Sequence, residues 1–210
     1  MRKGLFITFE GGDGSGKTTA SKYICQKLQE AGYEVVYTRE PGGSNIAEQI
    51  RSVILDVNNT LMDNRTEALL YAASRRQHLV EVILPALAAH KIVICDRFVD
   101  SSLAYQGFAR GIGIDAVMEI NRFAIENCMP DLTLFFDIDP AIGLQRIHSR
   151  DYLDRLENES LNFHYQVHEG YKLVCERYPN RIKVIDGTMS IPEVQQKSLQ
   201  LVMQLVEENV

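Results

Sequence analysis

Residues 11–18 read Gly-Gly-Asp-Gly-Ser-Gly-Lys-Thr, directly after the apolar run Leu5-Phe6-Ile7-Thr8-Phe9. This G-x-x-x-x-G-K-[ST] pattern constrains the fold more than any other stretch of the chain. Its glycines let the backbone curl with N–H groups turned inward around phosphates. Its lysine brings charge to the β and γ oxygens, and its last hydroxyl is placed to ligate Mg²⁺. Such a loop works between a strand and a helix N-terminus, where the peptide dipoles favour an anion. A match this short can arise by chance in a glycine-rich turn. Here the apolar run supplies the strand, and Thr19-Ala20-Ser21-Lys22-Tyr23-Ile24 opens a helical pattern, so motif and context agree. The expected ligand is a nucleoside triphosphate, held by Gly11, Gly12, Asp13, Gly14, Ser15, Gly16, Lys17, Thr18 and Thr19.

Apolar runs at 34–38, 92–95, 132–136 and 182–185 join 5–9 as predicted strands. Several are apolar throughout, as strands covered on both faces must be. Helical patterns fall at about 17–30, 45–56, 66–89, 113–127, 140–149 and 160–177, with a last one from 191. Strands alternating with helices imply crossover connections and therefore an α/β fold around a parallel sheet. Gly32 reads as a left-handed helix stop, and Pro140 and Pro192 sit where helices begin. With 210 residues the chain suits one α/β domain over 1–210.

The net charge of −6 argues against a nucleic-acid partner, while leaving room for a local basic pocket that takes a small anion. Cys25, Cys95, Cys128 and Cys175 are scattered without C-x-x-C spacing, which suits reduced thiols in a cytoplasmic protein. No apolar stretch has signal-peptide or membrane-spanning length, so no membrane partner is expected.

Phosphoryl transfer needs three things beyond the loop: a carboxylate for the metal, a cationic clamp, and a pocket that aims the acceptor oxygen. The run 92–95 ends in Asp96-Arg97, and ligands of open α/β sheets gather at the carboxyl ends of strands. Asp96 is placed there to hold Mg²⁺ or its water together with Thr18, and Arg97 to reach an acceptor phosphate. Arg39-Glu40-Pro41-Gly42-Gly43 leaves the second strand at the same edge. Tyr71 and Arg75 stand i, i+4 on one helix face, suited to stacking a base and holding its phosphate, although a solvated face would look the same. Between Asp100 and Gly107, Ser101, Tyr105 and Gln106 bring hydroxyls, a ring and an amide that could read a base edge. The charge-dense stretch 150–159 is either a solvated loop or a lid. Arg146, Arg150 and Arg155 lie in and beside it, and a lid arginine reaching a transferring phosphoryl group is worth roughly 10³–10⁵ in rate. Lid closure would also exclude water.

In these stretches the chain resembles the bacterial type of thymidylate kinase over nearly its full length. The resemblance is carried by Phe9-Glu10-Gly11 through Thr19, Thr38-Arg39-Glu40-Pro41-Gly42-Gly43, Tyr71-Ala72-Ala73-Ser74-Arg75-Arg76, Asp96-Arg97-Phe98 through Tyr105-Gln106-Gly107, and Leu153-Asp154-Arg155-Leu156-Glu157. It implies a P-loop kinase with a five-stranded parallel sheet flanked by helices and a small arginine-bearing lid at about 148–160. It also implies ATP as donor, dTMP as acceptor, Mg²⁺ as cofactor, dTDP as product on the way to dTTP, and a homodimer. The dTMP contacts so implied are Asp13 to the sugar 3′-hydroxyl, Arg39 and Arg97 to phosphate, Tyr71 to thymine and Arg75 to a base carbonyl. Ser101, Tyr105 and Gln106 line the same pocket, and Arg51 is a further contact. Glu40-Pro41 is a turn the family commonly builds with a cis proline.

Two departures stand out. The eukaryotic type carries an arginine where this chain has Gly14, so the catalytic cation here is expected from the lid, with Lys17 and Arg97 beside it. Arg155 is favoured over Arg150 because the Asp-Arg-Leu-Glu run fits the family lid. Phe98 stands where many relatives carry Tyr or His. A kinase of another nucleoside monophosphate is the nearest rival. A GTP-binding switch would need an Asn-Lys-x-Asp run, which the sequence lacks. For the dimer surface, the helix with Ala86-Leu87-Ala88-Ala89 and the apolar residues around 112–117 are the candidates.

Overall fold

The computed structural model describes residues 4–147 and 153–209. Strands β1 (Phe6–Gly11), β2 (Val35–Arg39), β3 (Ile92–Asp96), β4 (Leu132–Asp137) and β5 (Ile182–Asp186) form a parallel sheet in the order β2-β3-β1-β4-β5. Each expected strand is present, with its ends within two residues of the expected ones. The helices are α1 (Lys17–Glu30), α2 (Asn45–Leu55), α3 (Asn64–His78), α4 (Leu84–Ala88), α5 (Val99–Ser102), α6 (Ile114–Ile125), α7 (Pro140–Ile147), α8 (Leu161–Arg177) and α9 (Ile191–Asn209).

Successive side chains of a strand face opposite sides of a sheet. In β1, Ile7 and Phe9 join a core with Ile24 of α1 and Val202 of α9. Phe6 faces the other core, shared with α3, α6 and α8 through Tyr71, Val117 and Val167. Burying one such side chain stabilises by about 1.5–3 kcal/mol, and both faces of the sheet are covered in this way. The same alternation sends Thr8 and Glu10 to the side of Phe6, where Thr8 Oγ1 lies 2.7 Å from Thr133 Oγ1. Glu10 is thereby the one carboxylate of β1, fully buried and in need of partners.

Two helices widen to π geometry. The pattern 66–89 contains Pro85, which lacks an N–H and crowds the carbonyl four residues back. The π turn Leu79–Ile83 joins α3 to α4, and Leu84 N–H bonds five residues back to Leu79 O, so the helix continues past the proline. The second, Leu103–Ala109, extends α5, and Arg110 N–H reaches Tyr105 O at 2.9 Å. Sequence reading gave no helix over 99–109. Ser, Asp and Gly disfavour one locally, and its start is capped from outside: the Glu10 carboxylate accepts Phe98 N–H at 2.6 Å and Ser101 N–H at 3.4 Å.

The expected dimer surfaces are partly buried and partly open, with Ala88, Ala89 and Ala116 exposed. Ala86, Leu87 and Val117 are buried, whereas Leu69 of α3 and Phe123 of α6 are exposed. Among the described residues the four cysteines form no disulfide with one another, and no helix is long and apolar enough to cross a membrane.

Candidate active site

The strand register aligns the chemistry at one edge. Phe9 of β1 and Arg39 of β2 both pair with Asp96 of β3, so the loops after these strands converge. Gly16 adopts φ 89°, a left-handed turn that starts α1 at Lys17. Lys17 Nζ donates to Gly12 O at 3.1 Å and lies 4.0 Å from Asp13. Burial, aided by nearby Arg97, pushes the Lys17 ammonium below its ordinary pKa. Thr18 Oγ1 donates to the Asp96 carboxylate. Ser15 Oγ is buried without a partner among the described residues. A cleft of about 770 Å³ opens here, lined by residues 13–20 and by Asp96.

Arg97 sits at φ 71°, unusual for a residue with a side chain and typical of strained functional positions. The turn is held by Glu10, which takes Phe98 N–H on one oxygen and Ser101 Oγ at 2.5 Å and Tyr171 OH at 2.9 Å on the other. Burial and the neighbouring Asp100 raise the Glu10 carboxyl to about 7. Sequence reading gave Glu10 and Tyr171 no role; strand alternation next to the phosphate loop was the available signal for Glu10, and nothing marked Tyr171. Arg97 Nη2 donates to Asp13 at 2.6 Å and its guanidinium lies 5.2 Å from the Tyr105 ring, while Tyr105 OH reaches Asp13 at 3.3 Å. Burial alone would raise the Asp13 carboxyl, but Arg97 and Lys17 hold it lower. Arg39 and Arg51 both donate to Pro41 O, at 2.7 and 2.8 Å, beyond a cis Glu40-Pro41 bond. Burial and the adjacent Arg39 depress the pKa of Arg51. Four arginines, Arg39, Arg51, Arg97 and Arg146, and two lysines, Lys17 and Lys22, therefore line one cleft in a chain of net charge −6.

Tyr71, Ser101, Tyr105 and Gln106 line the cleft with Leu55 and Leu156. Arg75 does not join them, contrary to expectation. It is 1% exposed, and its guanidinium is spent on Glu40 at 2.7 Å, Ser102 at 2.9 Å, Phe98 O at 3.0 Å and Asn121. A guanidinium in a dry interior must fill its donors, and Glu40 supplies the counter-charge. Arg75 thus ties the Glu-Pro turn to the segment after Arg97. Glu40 is itself braced by His78 Nδ1 at 3.0 Å, whose Nε2 meets Thr38 Oγ1 at 2.6 Å.

The lid arginines also divide differently. Arg155 turns away from the phosphate loop, with Nη2 2.6 Å from Glu67 and Nε 2.8 Å from Ile54 O. A buried carboxylate on α3 draws it there. Arg150 lies outside the described residues. Arg146, on α7, lines the cleft and donates to Gly14 O at 3.3 Å. Its approach depends on a close backbone contact: a Cβ at Gly14 would sit 2.0 Å from Gly143 O, and a Cβ at Gly143 would sit 2.3 Å from Asp13 O. Gly14 carries no arginine because α7 occupies the space a side chain would need.

The family model described as Thymidylate kinase matches residues 9–198. A thymidylate kinase of Geobacillus sp. (strain WCH70) is 56% identical over 207 residues, covering 98% of this chain and 99% of that protein. One from Clostridium novyi (strain NT) is 59% identical over 196 residues, covering 92% and 96%. The crystal structure of thymidylate kinase from Ehrlichia chaffeensis superposes with a TM-score of 0.77 at 35% identity, covering 95% of this chain and 98% of that one. Sheet order, phosphate loop and sequence likeness along nearly the whole length lead to one conclusion: the chain belongs to the thymidylate kinase family.

Proposed function

We propose that this chain transfers the γ-phosphoryl group of ATP to the phosphate of dTMP, giving dTDP and ADP on the route to dTTP. The observation that carries this reading is a single cleft that gathers two sets of residues beside Lys17. In one set Arg39, Arg51 and Arg97 supply the charge for an acceptor phosphate, and Asp13 the acceptor for a sugar hydroxyl. In the other, Met189, Ile191 and Val194 offer an apolar wall for the donor's base, and Arg146 stands at the phosphate loop. Displacing Asp13 from Arg97 would free a guanidinium for phosphate while leaving Tyr105 to hold the carboxylate.

Thr18 and Asp96 are hard oxygen donors already in contact, and they fit Mg²⁺, which keeps most of its shell as water and nucleotide oxygens. When bound, the ion neutralises charge on the phosphates. The remaining work falls to the chain: Lys17 and Arg146 stabilise the equatorial oxygens, Arg97 aligns the acceptor, and the segment 153–160 limits water. We further infer a homodimer, supported by exposed Leu69 and Phe123 on the neighbouring helices α3 and α6.

The acceptor is tested by comparing kcat/KM for dTMP, dUMP, dCMP, AMP and GMP with ATP. dTMP should lead, with dUMP reduced by roughly 10–200-fold for want of one methyl. A preference for another acceptor would remove the substrate assignment and leave only the kinase class.

A further inference from the structure

Glu67 lies on α3 one turn before Tyr71 and is 1% exposed. It accepts Gln106 Nε2 at 2.9 Å, Arg110 Nε at 3.3 Å and Nη2 at 3.2 Å, and Arg155 Nη2 at 2.6 Å. Burial would raise its carboxyl, but Arg110 and the hydrogen bonds from Gln106, Arg110 and Arg155 hold it below its ordinary pKa. An ionised carboxylate can only accept.

A glutamine amide presents a donor at one end and an acceptor at the other in nearly the same shape. Left alone, Gln106 could turn either end toward a ligand. With its nitrogen taken by Glu67, its oxygen is the end left over: Gln106 lines the cleft, and Oε1 takes no hydrogen bond from any described residue. We propose that Glu67 is a positioning residue for acceptor specificity, holding the Gln106 amide nitrogen so that the amide oxygen meets the pyrimidine edge. The inference rests on the reading of Gln106 as the side chain that meets the base. Thymine and uracil bring an N3–H to such an oxygen. Cytosine brings a lone pair at N3, leaving two acceptors face to face and both unsatisfied, a mismatch that a desolvated pocket penalises heavily. The two arginines make the arrangement tolerable, because they neutralise a buried charge that the uncharged Gln106 could not balance.

The test is Glu67→Gln, assayed for kcat/KM with dTMP, dUMP and dCMP. A glutamine at 67 both donates and accepts, so it releases the amide of Gln106. The dTMP:dCMP ratio should fall by roughly tenfold or more, while the dTMP:dUMP ratio stays within about twofold because both bases carry the same imide. Parallel losses on all three substrates, or both ratios falling together, would mean a carboxylate that serves only the packing, and would overturn the proposal. If Glu67→Gln does not fold, Glu67→Asp keeps the charge for both arginines while drawing the carboxylate back from Gln106, and the same ratios decide. Gln106→Leu separates the two levels of failure. An unmoved dTMP:dCMP ratio there refutes Gln106 as the base reader and the proposal with it; a ratio moved there but not in the Glu67 variants refutes the proposal alone.

Discussion

At the scale of residues, the proposed chemistry turns on the arginines, and sequence placed them unequally. Arg39 and Arg97 stand where spacing from strand ends put them, because a side chain at the carboxyl end of a parallel strand has few places to go, and Arg51 of α2, implied only by the resemblance, lines the same cleft. Arg75 and Arg155 go elsewhere because buried carboxylates, Glu40 and Glu67, compete for them, and the partners are 35 and 88 residues away in sequence. No local pattern announces such a pairing. The division implies opposite kinetic signatures. Arg146→Ala should lower kcat on the order of 10³-fold with little change in dTMP KM, as for a group acting on the transferring phosphoryl. Arg155→Ala should lower Tm and raise dTMP KM, keeping kcat within about tenfold, since it strips one cation from a buried carboxylate. Single-turnover kinetics on both variants decide the matter. The reverse pattern would show that Arg155 leaves Glu67 during the reaction.

At the scale of elements, α7 matters more than its length suggests. Gly143 is buried against the phosphate loop, and the atom a new methyl would strike is backbone, which cannot swing aside. Gly143→Ala should therefore push α7 off the loop, destabilise by about 1–3 kcal/mol, and raise ATP KM more than dTMP KM. Thermal melts and initial rates would show it, and an equal rise in both KM values would contradict the view that α7 serves the donor side. The strands, α1 and α8 were legible because hydrophobic runs and caps are local signals. The helix over 99–109 was not, because its N-terminus is capped by Glu10 from another strand and its π turn breaks the 3.6-residue period. That turn carries Tyr105 and Gln106 into the cleft, so the least legible element holds two of the residues proposed to meet the acceptor.

At the scale of the whole molecule, a chain of net charge −6 gathers six cationic side chains against five carboxylates in one cleft. Such an arrangement focuses field into the cleft and favours small anions over polyanions. Exposed Leu69 and Phe123 lie outside that cleft, on α3 and α6, which cover the opposite side of the sheet from α1 and α9, whereas exposed Ile191 of α9 lines the cleft. Of the described large apolar side chains Phe123, 88% exposed, is second only to Leu61. Phe123→Asp should convert a dimer to a monomer in light scattering at micromolar concentration, and a monomeric parent protein would dispose of the dimer outright.

The contact between Gly14 and Gly143 also bears on descent. An arginine at position 14 and a helix seated on that position exclude each other. A lineage that supplies its cation from the loop cannot reach this arrangement by one substitution, nor leave it by one. The first change alone gives either a collision or a site with no cation, so the two solutions should persist as separate branches without intermediates.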